Sequence, residues 1–352
     1  MNRLDDPSIT ALDAGGMLDR IAELGTELVR AWDASDELVL PPGAETARQV
    51  LIVGMGGSAT AGDYFATLCA GSSEIPVSVF RGYALPYFVG ERSLVVVSSY
   101  SGNTEEALTC YDDAWKRGAL VLVVATGGKL ATRAEEDGVP VYRFSYAAQP
   151  RAAIAHSLAP LLRLGERLGL CSADRAELQD AARLHENFVR QQASPLVPSA
   201  QNGPKQLAAA LHGRIPLVLG AEHLAPVASR FKNQLAENGK VLGAADIMPE
   251  ANHNLIVGLG TGAQVADRLS LVTLESALYD ERVQRRFDVT AAQFEETGIP
   301  VHRITVAGQR MIDQLLVGTA WGDYVSCYLA FLNGVDPSPV PQIDRLKAAL
   351  AG

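Results

Sequence analysis

The chain has 352 residues, of which 48% are hydrophobic and 20% charged, so it is long enough for two packed domains and has the composition of a globular protein. Its formal net charge of −10 argues against nucleic acid or an anionic membrane as the main partner, and no run of roughly 20 apolar residues predicts a membrane span. The N-terminus lacks an apolar core of signal-peptide length and the four cysteines are far apart, so we expect a cytoplasmic protein with reduced thiols and no metal site built from thiolates.

The first half of the chain alternates strands and helices after an N-terminal helical segment. Residues 1–44 contain a helical pattern over 12–33 and a Pro-Pro-Gly linker, and residues 45–150 carry the alternation. Such alternation predicts a parallel sheet with helices on both faces. The predicted strands are Gln49–Val53, Val77–Phe80, Leu94–Ser98, Leu120–Ala125 and Val139–Arg143, and the predicted helices are Ala59–Cys69, Thr104–Lys116 and Lys129–Glu136.

The second half repeats this order of elements after a helical connector. The connector, residues 151–200, contains two apolar-striped helices, 151–168 and 173–192. Residues 201–335 then alternate again, and residues 336–352 end in a short helix. The sequence therefore predicts an α/β protein with two similar halves, each a parallel sheet flanked by helices. The predicted elements are strands Ile215–Leu219, Val241–Ala244, Leu269–Leu274 and Val301–Val306 and helices Leu224–Asn238, Asp280–Thr297, Arg310–Leu332 and Ile343–Leu350.

The segment VVVSSYSGNTEE carries the clearest functional signal. A buried strand is followed by three hydroxyls, Ser99, Ser101 and Thr104, at the start of a helical pattern. Free backbone N–H groups and the helix dipole favour an anion at such a position, and small hydroxyls add donors. Because the segment has no lysine and no GxxxxGK[ST] pattern, it favours a single terminal phosphate on a small molecule over a nucleoside triphosphate.

The first strand ends in GMGGSA, which fits the dinucleotide-binding pattern GxGxxA. That interpretation requires an acidic residue after the second strand, but the second strand is followed by Arg81, which suits only a 2′-phosphate. A second alternative is that GMGGSA is a purely structural tight turn that binds no ligand. A sugar-phosphate pocket shared with the SYSGNT turn fits better, because ligands of open α/β sheets bind beyond the carboxyl ends of the strands.

Two further residues are candidates for proton transfer. Glu237 lies near the end of a predicted helix, before Asn238-Gly239, and His253 lies between two asparagines. Each alone is as well explained by a solvated helix end or a structural histidine. Aldose–ketose isomerisation, however, uses a carboxylate to move a proton, an acid to open the sugar ring and a cation beside the enediolate.

The ordered motifs GMGGSA, SYSGNTEE, QPRAA, ENGK, EANHN and GVDPSPVPQIDRLK resemble the bifunctional phosphoglucose/phosphomannose isomerases of the sugar-isomerase (SIS) superfamily. The resemblance runs from about residue 45 to the C-terminus. It implies two SIS subdomains, each a three-layer α/β sandwich, and a homodimer with a shared active site. It also implies a sugar-phosphate substrate and no cofactor or metal.

The resemblance further implies catalytic roles for four residues. Glu237 would move the proton between C1 and C2, and Arg151 would stabilise the enediolate. His253, from the partner subunit, would help to open the ring, and Lys347 would assist.

The implied substrate-binding residues are Gly57, Ser58, Ser99, Ser101 and Thr104. Two positions depart from the family pattern, which often has an acid where Leu255 stands. A threonine near the C-terminus that admits either C2 epimer is replaced here by Ser338, so the balance between glucose and mannose substrates is left open.

Two other classes of function are alternatives. One is a non-catalytic sugar-phosphate-binding protein, which would have no need of the base Glu237. The other is an NADP-dependent reductase using the GMGGSA turn and Arg81.

Overall fold

The computed structural model describes residues 3–351, which form two compact units. Unit 1 comprises Met1–Glu23 and Leu184–Gly352, and unit 2 comprises Leu24–Arg183. The division falls inside two helices, α1 (Met17–Ala34) and α6 (Arg175–Phe188). The predicted boundaries at residues 44, 150, 200 and 335 remain predictions.

Unit 2 is built on a five-stranded parallel sheet in the order β2-β1-β3-β4-β5. The order reverses between β1 and β3, so by the right-handed crossover rule α2 packs on one face of the sheet and α3 and α4 on the other. All seven residues of β3 are buried, as expected for the central strand of a parallel sheet. The elements are β1 (Gln49–Val53), α2 (Gly56–Cys69), β2 (Val77–Phe80), β3 (Ser93–Ser99), α3 (Glu105–Lys116), β4 (Leu120–Ala125), α4 (Gly128–Glu136), β5 (Val141–Arg143) and α5 (Ile154–Arg167).

Unit 1 contains a second parallel sheet of four strands in the order β7-β6-β8-β9. This order matches that of the first four strands of unit 2, which confirms the α/β class with two parallel sheets flanked by helices. The elements are α7 (Gly203–Leu211), β6 (Ile215–Ala221), α8 (Ala225–Glu237), β7 (Ala244–Met248), β8 (Leu269–Glu275), α9 (Glu281–Glu296), β9 (Val301–Thr305), α10 (Met311–Leu332) and α11 (Pro341–Ala351).

Helix α10 is the core helix of unit 1 and packs on α7 and α8. Although the sequence has no unbroken run of roughly 20 apolar residues, this helix is long and apolar enough to cross a membrane by length and composition. In the structure, 89% of its most apolar stretch is buried. Burial of that extent is typical of the central helix of a folded domain.

Three differences from the predicted elements have local causes. Helix α1 begins at Met17 because the Asp13 carboxylate accepts the N–H groups of Met17 and Leu18, each at 2.8 Å. Helix α7 was not predicted, and it begins where Asn202 accepts the N–H of Lys205 at 2.9 Å and Pro204 occupies its first turn. The strand predicted at 241–244 begins only at Ala244, since the N–H of Val241 closes the end of α8.

Candidate functional site

The two glycine- and serine-rich loops of unit 2 follow neighbouring strands. β1 and β3 pair in parallel, with Val53 opposite Val97, so their carboxyl ends meet at one edge of the sheet. This is the point where the strand order reverses, which is the usual ligand position in such sheets. The structure therefore brings the GMGGSA and SYSGNT segments side by side, as the sequence predicted.

The SYSGNT loop folds around its own hydroxyls. The Oγ of Ser99 lies 3.0 Å from the Oγ1 of Thr104, and the N–H of Gly102 donates to the Ser99 Oγ at 3.2 Å. Ser99 is buried, whereas Ser101 is exposed and accepts the N–H of Asn103 at 3.2 Å. Thr104 is the residue before the first turn of α3, so the hydroxyl cluster stands at the positive end of that helix.

A third loop, Thr126–Lys129, packs against the SYSGNT loop and was missed in the sequence. Gly102 has a φ of +63°, and a Cβ there would collide with the carbonyl oxygen of Gly127. The carbonyl of Gly102 accepts the N–H of Leu130 at 2.9 Å, which joins the loop to the start of α4. The Gly-Gly pair directly after a predicted strand was the available signal.

Arg151 lies in a 3₁₀ turn, Pro150–Ala152, just before α5, and is only 4% exposed. A Cβ on Gly57 would lie 3.0 Å from the carbonyl oxygen of Pro150 and 3.5 Å from the Cα of Arg151. Ser58, in the first turn of α2, is also buried. The structure thus places the arginine beside the GMGGSA turn, although nearly a hundred residues separate them.

Arg81 is engaged within the protein. Its guanidinium contacts the carboxylate of Asp63 at 2.5 Å. Burial raises the pKa of the Asp63 carboxyl and the hydrogen bond from Arg81 opposes that rise. A guanidinium already paired with a carboxylate is a poor receptor for a 2′-phosphate, so this contact disfavours the NADP interpretation.

In unit 1, Glu237 is the last residue of α8 and is half-buried. The turn that follows is fixed by α10, since the Asn238 side chain donates to the Oγ of Ser326 at 3.0 Å. Beneath it, Arg230 of α8 and Asp323 of α10 form an ion pair at 2.7 Å, each 4% exposed. The pair joins α8 to α10 through two buried charges that pair with each other.

Lys240 joins Glu237 to the segment that carries Ser338. Its Nζ donates to the carbonyl oxygens of both Glu237 and Pro337, the latter at 3.0 Å. Ser338 is buried, and its N–H donates to Asp336 at 2.8 Å. Lys240 therefore connects the end of α8, where the predicted base lies, to the residue before Ser338. The sequence carries no signal for this contact, because Lys240 and Pro337 are 97 residues apart.

His253 and Lys347 are both exposed. His253 follows β7, and its backbone N–H donates to the carbonyl of Glu250 at 2.8 Å. Lys347 lies on α11, whose residues 341–350 are all exposed. Their parts in ring opening remain predictions. Within residues 3–351, no group of three or more His, Cys, Asp and Glu side chains is arranged to hold a metal ion.

Comparison with known proteins places this chain in a family. Residues 200–350 match the family model for the bacterial phospho-glucose isomerase C-terminal SIS domain. The bifunctional phosphoglucose/phosphomannose isomerase of Caldicellulosiruptor bescii is 34% identical over 336 residues, which is 95% of this chain and 99% of that protein. This chain belongs to the bifunctional phosphoglucose/phosphomannose isomerase family.

Two further relatives and one solved structure are also similar to this chain. The enzyme of the same name from Aquifex aeolicus is 33% identical over 86% of this chain and 90% of its own. A D-glucosamine-6-phosphate 4-epimerase of Sulfolobus acidocaldarius is 30% identical over 61% of this chain and 65% of its own. A solved structure of a hypothetical protein from Thermus thermophilus has a TM-score of 0.69 at 17% identity, covering 98% of this chain and 90% of that one, which shows the shared fold.

Proposed function

We propose that this isomerase interconverts fructose 6-phosphate with glucose 6-phosphate and mannose 6-phosphate through an enediolate and without a metal. The observation that carries the proposal is the match, over nearly the whole chain, to a protein named for both isomerisations. The order of the motifs along the chain and the geometry of the two loops in unit 2 support it.

The phosphate would bind at the SYSGNT loop. Ser99 and Thr104 stand 3.0 Å apart at the positive end of α3, and Ser101 is exposed beside them. Three hydroxyls and the free N–H groups of a helix start can satisfy the oxygens of one phosphate monoester. Gly57 and Ser58 would line the sugar, because their turn lies at the same edge of the sheet.

The reaction itself needs one base and one cation. In the aldose-to-ketose direction, we propose that Glu237 takes the proton from C2 of the open-chain sugar and returns it to C1, while the C2 hydroxyl proton passes to O1. Negative charge builds on O1 and O2 in between, and the guanidinium of Arg151 would stabilise it. The burial of Arg151 supports this role, because a cation in a poorly solvated place acts more strongly on a nearby anion.

Ring opening and epimer choice would use the remaining residues. His253 and Lys347 would transfer protons at the ring oxygen and the anomeric hydroxyl. Ser338 would face the C2 hydroxyl, and its small side chain leaves room for either configuration. We also propose a cytoplasmic homodimer in which His253 serves the partner's site, which mass measurement in solution and mixing of His253→Ala with Glu237→Gln subunits would test.

The deciding experiment is turnover of the purified protein in EDTA. Production of fructose 6-phosphate from glucose 6-phosphate and from mannose 6-phosphate, each read with a coupling enzyme, is the expected result. No turnover on either, with tight binding retained, would replace the proposal with a non-catalytic binding protein.

Two further arms separate the other activities. Conversion of glucosamine 6-phosphate, and not of the two neutral aldose phosphates, would point to the epimerase chemistry of the relative from Sulfolobus acidocaldarius. Saturable binding of NADPH would restore the reductase interpretation that the pairing of Arg81 with Asp63 disfavours.

A further inference from the structure

We propose that Tyr100 is a positioning residue for Arg151. Through the Tyr100 side chain, the SYSGNT loop that would bind the phosphate also determines the position of the Arg151 guanidinium. The inference rests on the proposed isomerase function. Tyr100 stands between Ser99 and Ser101 in the SYSGNT loop, and no role for it follows from the hydroxyl pattern of that loop.

The Tyr100 side chain reaches out of its loop to the segment that leads into Arg151. Its hydroxyl donates toward two carbonyl oxygens, that of Tyr146 at 2.6 Å and that of Ala148 at 2.9 Å. The backbone of Tyr100 is itself fixed, since its carbonyl accepts the N–H of Thr126 at 3.1 Å and the hydroxyl of Thr126 at 2.6 Å. Tyr100 therefore connects the SYSGNT loop to the segment before Arg151, with hydrogen bonds at its backbone and at its hydroxyl.

The segment that the Tyr100 hydroxyl contacts is irregular, and the N–H of Phe144 at its start donates to the carbonyl of Ala125 at 3.3 Å. Residues 144–149 form no helix and no strand between the end of β5 and the 3₁₀ turn Pro150–Ala152. Two of its rings contact His156 of α5: Phe144 is stacked on it at 5.6 Å between ring centroids, and Tyr146 is tilted against it at 4.7 Å. Two backbone carbonyls of this segment, those of Tyr146 and Ala148, accept the Tyr100 hydroxyl, and that of Gln149 accepts the N–H of Ala152 at 2.9 Å.

The carbonyls that Tyr100 contacts lie close to Arg151 in the sequence. Ala148 is three residues before Arg151, and the carbonyl of Pro150 between them lies so close to Gly57 that a Cβ there would be 3.0 Å from it. Releasing the two carbonyls would let the turn shift against Gly57, and the guanidinium would move with it. Misplacement of a catalytic group by about 1 Å can cost on the order of 100-fold in rate.

The test is Tyr100→Phe, which removes only the hydroxyl and keeps the ring near Phe144. The matched control is Tyr111→Phe, because Tyr111 is a buried tyrosine of the same unit whose hydroxyl donates to Asp137 at 2.7 Å. We expect kcat to fall by about 10- to 100-fold in Tyr100→Phe with KM changed by less than about threefold, since an enediolate-stabilising group acts chiefly in the transition state. Tyr111→Phe should keep the parent's kcat.

A binding cycle shows whether the effect passes through Arg151. The probe is a five-carbon aldonic acid phosphate, whose planar carboxylate stands in for the charged C1–C2 group of the enediolate. Tyr100→Phe should weaken its binding in the parent and leave it unchanged in Arg151→Gln, while competition by inorganic phosphate stays the same in all four proteins.

Additive effects of Tyr100→Phe and Arg151→Gln on the probe would overturn the inference, as would an unchanged kcat in Tyr100→Phe. Equal losses in Tyr100→Phe and Tyr111→Phe would also overturn it, because they would indicate general destabilisation. Absence of turnover in the parent is a different result, since it would refute the proposed function.

Discussion

The backbones of Gly57 and Arg151 lie against each other although nearly a hundred residues of sequence separate them, and a methyl group on Gly57 would press on the turn that carries Arg151. The added Cβ would stand 3.0 Å from the carbonyl oxygen of Pro150 and 3.5 Å from the Cα of Arg151. The φ of Gly57 is not in the left-handed region, so the need for glycine here is one of space. The turn after β1 and the turn before α5 are thereby held as one surface.

The first prediction is that Gly57→Ala lowers kcat/KM by about tenfold or more, because the methyl group pushes the Pro150–Ala152 turn and the guanidinium with it. Gly71→Ala is the matched control, since a Cβ there meets nothing within 4 Å. Steady-state kinetics on fructose 6-phosphate and thermal unfolding would be measured for both. Parent-like kinetics in Gly57→Ala would show that the spacing of the two turns does not control the reaction.

The second prediction is that Thr104→Ala weakens binding of fructose 6-phosphate by roughly 10- to 100-fold, the loss of a charge-assisted hydrogen bond worth about 1.5–3 kcal/mol. The substitution also deprives the Ser99 hydroxyl of its partner at 3.0 Å. Thr109→Ala is the control, because its hydroxyl bonds only to the carbonyl of Glu105 within α3. Calorimetric titration would read the affinity, and equal binding by parent and Thr104→Ala would mean that the phosphate binds elsewhere.

Much of this architecture could be predicted from the sequence. The strands of unit 2 were placed nearly residue for residue, because strands such as β1 and β4 are continuous apolar runs bounded by glycines and helix starts. β7 was shifted because Ala244–Met248 is only partly buried and its alanines carry no strand signal.

The candidate site was less accessible to sequence reasoning. Hydroxyls within one loop, such as Ser99 and Thr104, are near each other by chain connectivity, so their cluster was predictable. The contacts of Tyr100, and the bridge that Lys240 makes to Pro337, join segments 46 to 97 residues apart. A single sequence carries no signal for such pairs, because each partner contributes a backbone carbonyl that every residue possesses.

The third prediction concerns Ser338. Ser338→Thr adds one methyl group in a buried position, so it should change the ratio of glucose 6-phosphate to mannose 6-phosphate turnover, by up to about 10-fold for a group of this size. The ratio within one preparation corrects for any loss of active protein. An unaltered ratio, with both activities measurable, would remove Ser338 from the choice of epimer.

The fourth prediction concerns stability in acid. His185 in α6 is fully buried, and neither ring nitrogen has a hydrogen-bond partner within residues 3–351. Burial lowers its pKa to about 4 from the ordinary 6.5. Between about pH 6.5 and about pH 4 the unfolded chain therefore binds a proton at this site that the folded chain does not. The free energy of unfolding falls by about 3 kcal/mol in total as the pH drops from about 6.5 to about 4.

Urea unfolding of His185→Phe between pH 7.5 and 5 would measure this contribution, because the variant has no proton to gain at that site. Its stability should fall less on acidification than that of the parent. His212→Gln is the matched control, since it replaces an exposed histidine of the same chain. Identical pH dependence in His185→Phe and the parent would assign acid sensitivity to other groups.

The last prediction concerns Glu237. Glu237→Gln keeps the size of the side chain and removes the basic oxygen, so kcat should fall by at least about 10²–10⁴-fold while substrate binding is retained. Its surroundings should persist, because Lys240 donates to the backbone carbonyl of Glu237, which the substitution leaves in place. Glu296→Gln is the matched control, as Glu296 is the exposed last residue of α9. Exchange of the C2 proton with solvent deuterium gives a second readout and should stop with turnover.

Near-normal kcat in Glu237→Gln would leave Glu222 and Glu250 as the candidate bases. Both already accept hydrogen bonds at 3.1 Å, from the Asp280 N–H and the Asn254 side chain respectively, so each also has a structural role that a test of its chemistry would have to separate.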